Sequence, residues 1–438
     1  MLINFKLTNY RSFLDSTELS MITGNISDHP DFAFKIDDKI SLLRSVGIFG
    51  KNASGKTNLV KGLNFMKNVV LRSVEFATNN RLLEFEPFQL IHSKEKLAPS
   101  TFEINFIVNN IRYNYGFSSD DVSFTEEWLT SYPKGRARRL FDRKHQDFFI
   151  NKNYFKEGVG LEDKTRENTL FLTVVSSFAG NISSSICDWF NNLTIISGLE
   201  IQRYLDLSIK KIHNDPHLCE ILSRFLEIAD FSISKIESHT INGLPLPNLP
   251  PIFNEEFSKK MKQQTVSFKT LKTHHKVYDN EKVINLKEFD LLQNESQGTI
   301  KFIFQIVPII ESLIKGSPIV IDEFDSRLHY HLSEFLINLF NNPKINQKKS
   351  QLIYISHNGE LLNNENHRRD QIWFVEKNFQ GKSSLYSLLE FKNNSKKIRK
   401  DASYGQDYKN GKYGSIPILN DDPSLIADLL FKKRKQYE

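Results

Sequence analysis

Short runs of alternating apolar and polar residues fill the first 50 positions of the chain. Alternation with a period of two is typical of strands that bury one face, so these runs predict β-hairpins. The next run, residues 45–49, is almost continuously apolar, as in a strand buried on both faces. From residue 56 to about residue 70, apolar positions recur three and four apart and predict a helix. The chain therefore begins with antiparallel strands, followed by a buried strand, a tight polar turn and a helix.

Between residues 83 and 150 the pattern predicts further strands. The segment 83–90 has the character of an edge strand, because Pro87 cannot donate a hydrogen bond to a neighbouring strand. Asn109 and Asn110 tolerate positive φ angles and predict a tight hairpin turn between two alternating runs. A second strand pair follows across a basic, turn-rich segment. The runs that form these two pairs are residues 101–108, 111–117, 121–129 and 139–150.

The apolar period changes from two to three or four between residues 163 and 230, which predicts an inserted helical region. The Pro-rich run 244–251 predicts a loop or arm, because proline lacks the backbone donor that regular structure needs. Residues 265–277 then predict another hairpin.

Helices and strands alternate after residue 288. This alternation is typical of a doubly wound α/β fold. We therefore expect these strands to share one mostly parallel sheet with the strand at residues 45–49. The predicted elements are a helix that ends near residue 314, a strand at 318–321, a helix at 331–340, and strands at 351–357 and 371–376.

Composition limits the class of protein. The chain has 438 residues, of which 39% are hydrophobic and 12% aromatic, enough to fill the cores of two or three domains. Its apolar runs are interrupted too often for a signal peptide or a membrane span, so we expect a cytoplasmic protein without membrane contact. Cys187, Cys219 and the histidines lack metal-ligand spacing. The net charge of +6 permits nucleic-acid contact without requiring it.

The turn between the buried strand and the helix has the pattern of a P-loop, Gly-x-x-x-x-Gly-Lys-Thr. The glycines allow backbone N–H groups to point at a phosphate, and the helix N-terminus adds a positive dipole. Lys56 would bind the β- and γ-phosphates, and the Thr57 hydroxyl would be a ligand of Mg²⁺. The predicted nucleotide-binding residues are Gly50, Lys51, Asn52, Ala53, Ser54, Gly55, Lys56, Thr57 and Asn58.

Two carboxylates follow the strand at 318–321, at the sheet edge where α/β proteins bind their ligands. Asp322 would hold Mg²⁺ opposite Thr57, and Glu323 would orient or deprotonate the attacking water. His357 follows the next strand and would contact the γ-phosphate. We therefore expect Glu323 and His357 to be catalytic, in an ATPase. A GTPase is disfavoured, because the nearest match to its Asn-Lys-x-Asp motif, at residues 151–154, lacks the acid.

A polar, Gly-containing segment at residues 295–299 precedes the apolar helix that ends near residue 314. Its N-terminus could present Ser296 and the Gly298 backbone to a phosphate, in the same way as the P-loop helix. A simple helix cap is the alternative that the segment alone would favour.

In this order, the motifs resemble those of the ATP-binding-cassette heads of SMC, DNA-repair and OLD-type ATPases. The resemblance implies an α/β fold, namely an ABC-type P-loop NTPase head with an antiparallel β lobe and an inserted helical region. It implies that two copies close around ATP and Mg²⁺ as a homodimer, with higher oligomers left open. It also implies that Gln89 is the Q-loop residue, in contact with the nucleotide and the metal. The motifs are Walker A at 50–57, the signature at 295–299, Walker B at 319–323, the D-loop at 325–328 and the switch histidine at 357.

Several further segments resemble the RloA/AbiL-type ATPases and the ATPase of PARIS systems, which are bacterial anti-phage components. This resemblance implies abortive-infection defence with a separately encoded effector, since only about 60 residues follow the last predicted strand, too few for the nuclease domain of OLD proteins. The trigger could be a phage product or DNA. The alternative is a DNA-repair or nucleic-acid-tracking ABC ATPase without a toxin partner. The segments are residues 5–13, 103–106, 126–129 and 408–417.

The resemblance also suggests a division of the chain. We expect an N-terminal ATPase lobe at 1–130, an inserted hairpin and helical region at 131–287, a C-terminal ATPase lobe at 288–390 and a tail at 391–438. Within the tail, residues 408–417 have no core-forming period, so we expect them to contact another protein. Basic clusters at 136–139, 396–400 and 432–435 are either solvated surface or contacts for DNA or an acidic protein.

Overall fold

The computed structural model describes residues 1–78, 85–91, 98–197, 201–241, 268–393, 396–417, 422–427 and 430. The strands are β1 (Leu2–Thr8), β2 (Thr17–Ser20), β3 (Ala33–Lys35), β4 (Ser41–Leu43), β5 (Ser45–Phe49), β6 (Ser100–Val108), β7 (Ile111–Ser119), β8 (Phe124–Tyr132), β9 (Arg138–Lys144), β10 (Asp147–Ile150), β11 (Thr194–Ser197), β12 (Ile233–Ile241), β13 (Phe268–Asp279), β14 (Lys282–Asp290), β15 (Pro318–Asp322), β16 (Gln351–Ile355), β17 (Ile372–Lys377), β18 (Ser383–Ser387), β19 (Lys392–Asn393) and β20 (Lys396–Lys397). The helices are α1 (Lys56–Thr78), α2 (Phe171–Ser177), α3 (Asn181–Asn192), α4 (Ile201–Asn214), α5 (Pro216–Ile228), α6 (Leu291–Asn294), α7 (Gln297–Lys315), α8 (Tyr330–Asn341), α9 (Tyr404–Lys409) and α10 (Pro423–Ala427).

A six-stranded sheet in the order β11-β15-β16-β5-β17-β18 forms the centre of the molecule. Its neighbouring strands are parallel except for the antiparallel pair β17 and β18. The predicted α/β class and the predicted mostly parallel sheet are therefore confirmed. The edge strand β11 was not predicted, because four residues after a long helical pattern carry too little periodicity. It joins the helical region to the sheet through the pairing of Ile195 with Val320.

A seven-stranded antiparallel sheet in the order β10-β9-β8-β7-β6-β1-β2 forms a second layer. It confirms the predicted antiparallel lobe and the hairpin at Asn109 and Asn110, whose φ angles are 50° and 60°. The predicted strand at 83–90 is wrong over its described part, since residues 85–90 are irregular. Instead of joining a ladder, this segment accepts a hydrogen bond from the Arg11 N–H at the Glu86 carbonyl, 2.7 Å away.

Helix α1 packs between the two sheets and extends to Thr78, beyond its predicted end. Gly62 lets it approach the antiparallel sheet, since a Cβ there would lie 2.7 Å from Leu7 Cδ2. On the other side of the central sheet, the predicted apolar helix is α7, which contributes a row of fully buried residues to the core. Among the described helices, α7 is long and apolar enough to pass a test for a membrane span, but 67% of its apolar window is buried inside the protein.

The predicted hairpin at 265–277 is wrong over its described part. Residues 268–279 form one continuous strand, β13, which pairs with β12 on one side and β14 on the other. The turn lies instead at Asn280, between β13 and β14. Its φ of 53° is in the left-handed region, which asparagine tolerates. The Pro-rich run 244–251 and the basic cluster 432–435 lie outside the described residues.

The tail segment 408–417 packs into the core, so the expectation that it has no part in a core is wrong, while its contact with another protein stays a prediction. Tyr408 and Tyr413 are buried, with their ring centroids 5.4 and 5.7 Å from that of Phe374 in β17. The Ser415 hydroxyl donates to the Val375 carbonyl at 3.1 Å. The sequence pattern did not reveal this packing, because a tyrosine can bury its ring while its hydroxyl keeps a hydrogen bond. A segment of tyrosines and polar residues can therefore look like a polar loop.

We expect Tyr413→Ala to lower the free energy of unfolding by about 3 kcal/mol or more, the usual cost of removing a fully buried aromatic ring. The substitution also removes the 2.9 Å hydrogen bond that the Tyr413 hydroxyl donates to Asp407 Oδ2. Chemical denaturation followed by circular dichroism measures the change. Tyr278→Ala is the matched control, since that side chain is 58% exposed and should change the unfolding free energy little. A similar small change for Tyr413→Ala would contradict the packing described.

Candidate active site

The loop between β5 and α1 has a backbone that only glycine can adopt at two positions. Gly50 and Gly55 have φ angles of 146° and 114°. A Cβ atom at Gly50 would lie 2.4 Å from the Val375 carbonyl oxygen, and one at Gly55 would lie 2.3 Å from Ser383 Oγ. The sequence pattern thus folds into a tight cradle of backbone N–H groups in front of the α1 N-terminus, which is the geometry that binds phosphate.

Lys56 lies at the centre of this cradle. Its Nζ atom donates to the carbonyl oxygens of Gly50 and Lys51 at 2.5 and 3.0 Å and lies 3.3 Å from His357 Nδ1. Burial lowers the pKa of Lys56 to about 8, although the nearby carboxylates of Glu323 and Asp322 oppose this shift. A buried ammonium held by carbonyls and one imidazole is prepared to bind a phosphate that arrives with compensating charge.

The order of strands brings the predicted acids and histidine to the cradle. β15 and β16 follow β5 on one side of the sheet, so their carboxyl ends meet at the same edge. His357 Nε2 lies 3.2 Å from Glu323 Oε1. Together with the contact between Lys56 and His357 Nδ1, this makes a continuous chain from the ammonium to the carboxylate.

Asp322 and Glu323 have different environments although they are adjacent. Asp322 is buried, which raises the pKa of its carboxyl above the usual range, while a hydrogen bond from Thr57 opposes the shift. Glu323 is partly exposed and has a φ of 52°. This left-handed conformation is costly for a non-glycine residue and is often found at functional sites. In this conformation the Glu323 carboxylate faces His357.

A cavity of about 490 Å³ lies between the cradle, Glu323 and His357, and Gly50, Lys51 and the buried Asp322 are not among its lining residues. The buried Ser54 hydroxyl has no hydrogen-bond partner among the described residues, so a ligand can supply one. Gln89 is exposed and is not among the residues that line this cavity. The structure therefore does not bring Gln89 together with the other predicted site residues. The cavity is lined by Asn52, Ala53, Ser54, Gly55, Lys56, Thr57, Asn58, Glu323, His357 and Lys377.

The predicted signature residues do not line the cavity of their own chain. The Ser296 hydroxyl caps α7 by accepting a hydrogen bond from the Thr299 N–H at 3.1 Å. A Cβ at Gly298 would lie 3.1 Å from the Arg327 carbonyl oxygen, so the signature and the predicted D-loop touch. The cap that we considered as an alternative is therefore present, and a phosphate contact by Ser296 requires a second copy of the chain.

Two lysines near the site were not singled out from the sequence. Lys377 lines the cavity at the end of β17. Lys301 is buried in α7 and donates to the Glu323 carbonyl at 2.7 Å and to the Ser326 hydroxyl. Burial lowers the pKa of Lys301 to about 8, and Asp325 opposes the shift. Lys301 is the one charged residue in the mostly apolar run 300–310, which was a signal for it, whereas nothing in the local pattern marks Lys377.

We expect Lys301→Met to lower kcat for ATP hydrolysis about tenfold while the Kd for ATP changes less than about twofold, because Lys301 holds the Glu323 backbone and does not reach the cavity. Methionine keeps the length of the side chain and removes its charge. Steady-state phosphate release and equilibrium ATP binding separate the two effects. Lys315→Met, at the exposed end of the same helix, is the control. A Kd that rises in step with the loss of kcat would contradict a positioning role.

The residues present fit a nucleotide triphosphate with Mg²⁺. The Thr57 hydroxyl and the Asp322 carboxyl lie within hydrogen-bond reach of each other beside the cradle. Mg²⁺ is commonly held by few protein ligands together with phosphate oxygens and water. The described residues contain no group of three or more His, Cys, Asp or Glu side chains that could hold a metal by themselves.

The chain matches a known protein family over most of its length. Residues 45–363 match a protein-family model described as "AAA domain, putative AbiEii toxin, Type IV TA system". No curated protein matches the chain. The SMC head domain from Thermotoga maritima is 15% identical with a TM-score of 0.41, over 88% of this chain and 98% of that one. A structure of the recombination mediator RecF with ATP is 12% identical with a TM-score of 0.30, over 88% and 97%. At these TM-scores neither structure supports a conclusion about activity.

Proposed function

The chain belongs to this AAA-domain family, and we propose that it is a magnesium-dependent ATPase whose two copies close around ATP. One observation carries the proposal, namely the continuous contact from Lys56 through His357 to Glu323 beside the P-loop cavity. Phosphoryl transfer to water requires a cation that binds the phosphate and a carboxylate that positions the water. Here both groups lie at one cavity and are linked by the histidine. The P-loop, the mostly parallel sheet and the antiparallel lobe agree with the ABC-type P-loop NTPase head that the sequence predicts.

The side chains have separate tasks in this mechanism. Lys56 and the backbone N–H groups of the cradle bind the β- and γ-phosphates and stabilise their charge. Glu323 orients a water molecule for in-line attack and accepts its proton. His357 faces Lys56 through Nδ1 and Glu323 through Nε2, so it donates towards the γ-phosphate by exchanging its Glu323 contact for one with the phosphate. Thr57 and Asp322 would hold Mg²⁺, and contact by Gln89, which does not line the cavity, stays a prediction. When bound, Mg²⁺ neutralises charge on the phosphate oxygens.

The signature segment acts on the second copy. Ser296 and the Gly298 backbone lie at the N-terminus of α7, a helix of 19 residues, outside their own cavity. A helix N-terminus favours a bound anion. In a dimer with twofold symmetry the same surface of each copy faces the other, so each signature can close the other copy's triphosphate site. ATP then acts as the contact that holds the dimer together.

We further propose that this dimer controls a separately encoded effector in bacterial anti-phage defence, with a phage product or DNA as the trigger. The family description, which names a "putative AbiEii toxin" of a type IV toxin–antitoxin system, supports the association with toxin–antitoxin defence, and control of a separate effector rests on the sequence resemblance. The alternative is a DNA-repair or nucleic-acid-tracking ATPase without a toxin partner. Co-purification of the chain with the products of adjacent genes, before and after phage challenge, distinguishes them: a partner that is released on infection favours defence, and DNA alone favours the alternative. In either role we propose a cytoplasmic location.

Removal of the metal tests the catalytic part of the proposal. We expect EDTA to lower ATP turnover at least about a hundredfold, since the γ-phosphate charge is then poorly neutralised, and we expect added Mg²⁺ to restore it. Phosphate release is the measurement, and CTP and GTP at equal concentration define the base preference. Turnover that continues in EDTA would contradict the assignment of Thr57 and Asp322 as metal ligands. Absence of any turnover with Mg²⁺, in a chain that binds ATP, would point to a partner-activated enzyme.

A further inference from the structure

Lys377 lines the P-loop cavity from the side opposite Glu323 and His357. The strand order β15-β16-β5-β17 places Glu323 and His357 after strands on one side of the P-loop strand and Lys377 at the end of the strand on its other side. With about 4.8 Å between neighbouring strands, β15 and β17 are about 14 Å apart across the sheet. This span matches a nucleotide whose γ-phosphate lies near Glu323 and whose nucleoside lies near β17.

The hairpin that carries Lys377 is attached to the P-loop itself. Lys377 pairs with Ser383 across the β17–β18 turn. The Ser383 hydroxyl donates to the Ser54 carbonyl at 2.5 Å, and the Ser383 N–H donates to the Ser12 carbonyl at 2.7 Å. The Asn58 side chain completes the junction by donating to the Ser12 hydroxyl at 2.8 Å. The backbone of Lys377 is therefore fixed relative to the phosphate cradle before any ligand arrives.

The Lys377 side chain is not committed to a structural ion pair within the described part of the chain. Its neighbour Glu376 points to the other face of β17, towards the tail, where a Cβ at Gly414 would lie 3.1 Å from Glu376 Oε2. Successive side chains of a strand face opposite sides, so Glu376 and Lys377 cannot neutralise each other. Lys377 is thus a half-buried cation at the cavity wall with its charge available to a ligand.

We propose that Lys377 binds the α-phosphate of the nucleotide, as a second cation at the end of the cavity away from hydrolysis. This inference rests on the proposed nucleotide-binding function and adds a residue to that site. Lys56 serves the β- and γ-phosphates, and ADP lacks the second of these. Lys377 serves the α-phosphate, which both ATP and ADP carry, so it sets affinity for both and takes no part in sensing the γ-phosphate.

Binding of ATP and ADP to Lys377→Met tests this assignment by isothermal titration calorimetry in the presence of Mg²⁺. We expect the Kd values for ATP and ADP to rise by the same factor, about tenfold, as is usual for loss of one charge-assisted contact. Lys377→Arg should keep both values within about threefold of the parent chain, and Lys377→Gln provides a second neutral substitution. Lys382→Met, on the same hairpin but not lining the cavity, is the control. Thermal unfolding confirms that each variant is folded.

Three results would overturn the inference. A loss for ATP with no loss for ADP would place Lys377 at the γ-phosphate, and unchanged affinity for both nucleotides would remove it from the site. If the parent chain binds neither nucleotide, the proposed function fails together with this inference. Lys56→Ala, measured in parallel, separates the cases: when it weakens binding and Lys377→Met does not, only the role of Lys377 is wrong.

Discussion

Glu323→Gln is expected to keep ATP bound while lowering kcat by about a hundredfold to ten-thousandfold, the range for loss of a general base. Glutamine has the shape of glutamate and can still accept a hydrogen bond from His357, whose Nε2 lies 3.2 Å from Glu323 Oε1. It cannot accept a proton from water. Because the triphosphate then persists, the ATP-bound dimer should accumulate, which light scattering coupled to size-exclusion chromatography measures.

Lys56→Ala is the matched contrast to Glu323→Gln. It removes the cation that the cradle holds 2.5 Å from the Gly50 carbonyl, so we expect nucleotide affinity itself to fall by at least about a hundredfold. Equal losses of ATP affinity in the two variants would contradict the division between a binding cation and a catalytic carboxylate. Thermal unfolding in the absence of nucleotide checks that neither substitution disturbs the fold.

Ser296→Arg is expected to lower ATP turnover at least about a hundredfold while the monomer still binds ATP. Lys56 and Thr57 are untouched by this change, since Ser296 lies outside its own cavity. Arginine adds bulk and charge where the signature should meet the partner copy, so closure of the dimer is prevented. Loss of the 3.1 Å cap to the Thr299 N–H would also weaken α7.

Ser296→Ala controls for the loss of the cap. It removes the same hydrogen bond without adding bulk, so the cost is limited to about 1 kcal/mol of helix stability and to the direct hydroxyl contact. If Ser296→Ala lowers turnover as much as Ser296→Arg, the hydroxyl itself acts on the partner's phosphate. If both variants keep full turnover, Ser296 is only a helix cap.

The central site could be predicted because its parts are short motifs tied to strand ends. Gly50 and Gly55 indicate positive φ angles that other residues rarely adopt, and the structure has positive φ angles at both positions. Asp322 and His357 follow buried apolar runs, and parallel pairing brings such ends to one edge. The mostly parallel pairing needed no further information, since alternating helices and strands already imply it, whereas the order of the strands was not predicted.

Other features depended on contacts between distant segments. The tail tyrosines lie far along the chain from the sheet that they cover, and nothing near them signals burial. The segment 85–90 has the alternation of a strand but is held by the loop at Asn9 and Arg11 through side-chain and backbone hydrogen bonds. Lys377 enters the cavity only because β17 lies beside β5. Tertiary pairing, which a local pattern does not contain, decides all three.

A mixture of Lys56→Ala and Ser296→Arg chains tests the central claim, that each ATP is enclosed by the P-loop of one copy and the signature of the other. Each variant alone should be inactive. A mixed dimer has one intact composite site, so random exchange at equal amounts should restore up to about a quarter of the parent ATP turnover if the two sites are independent. Differently tagged chains establish that subunits exchange. Mixed dimers that are isolated by both tags and show no turnover above the separate variants would contradict the composite site.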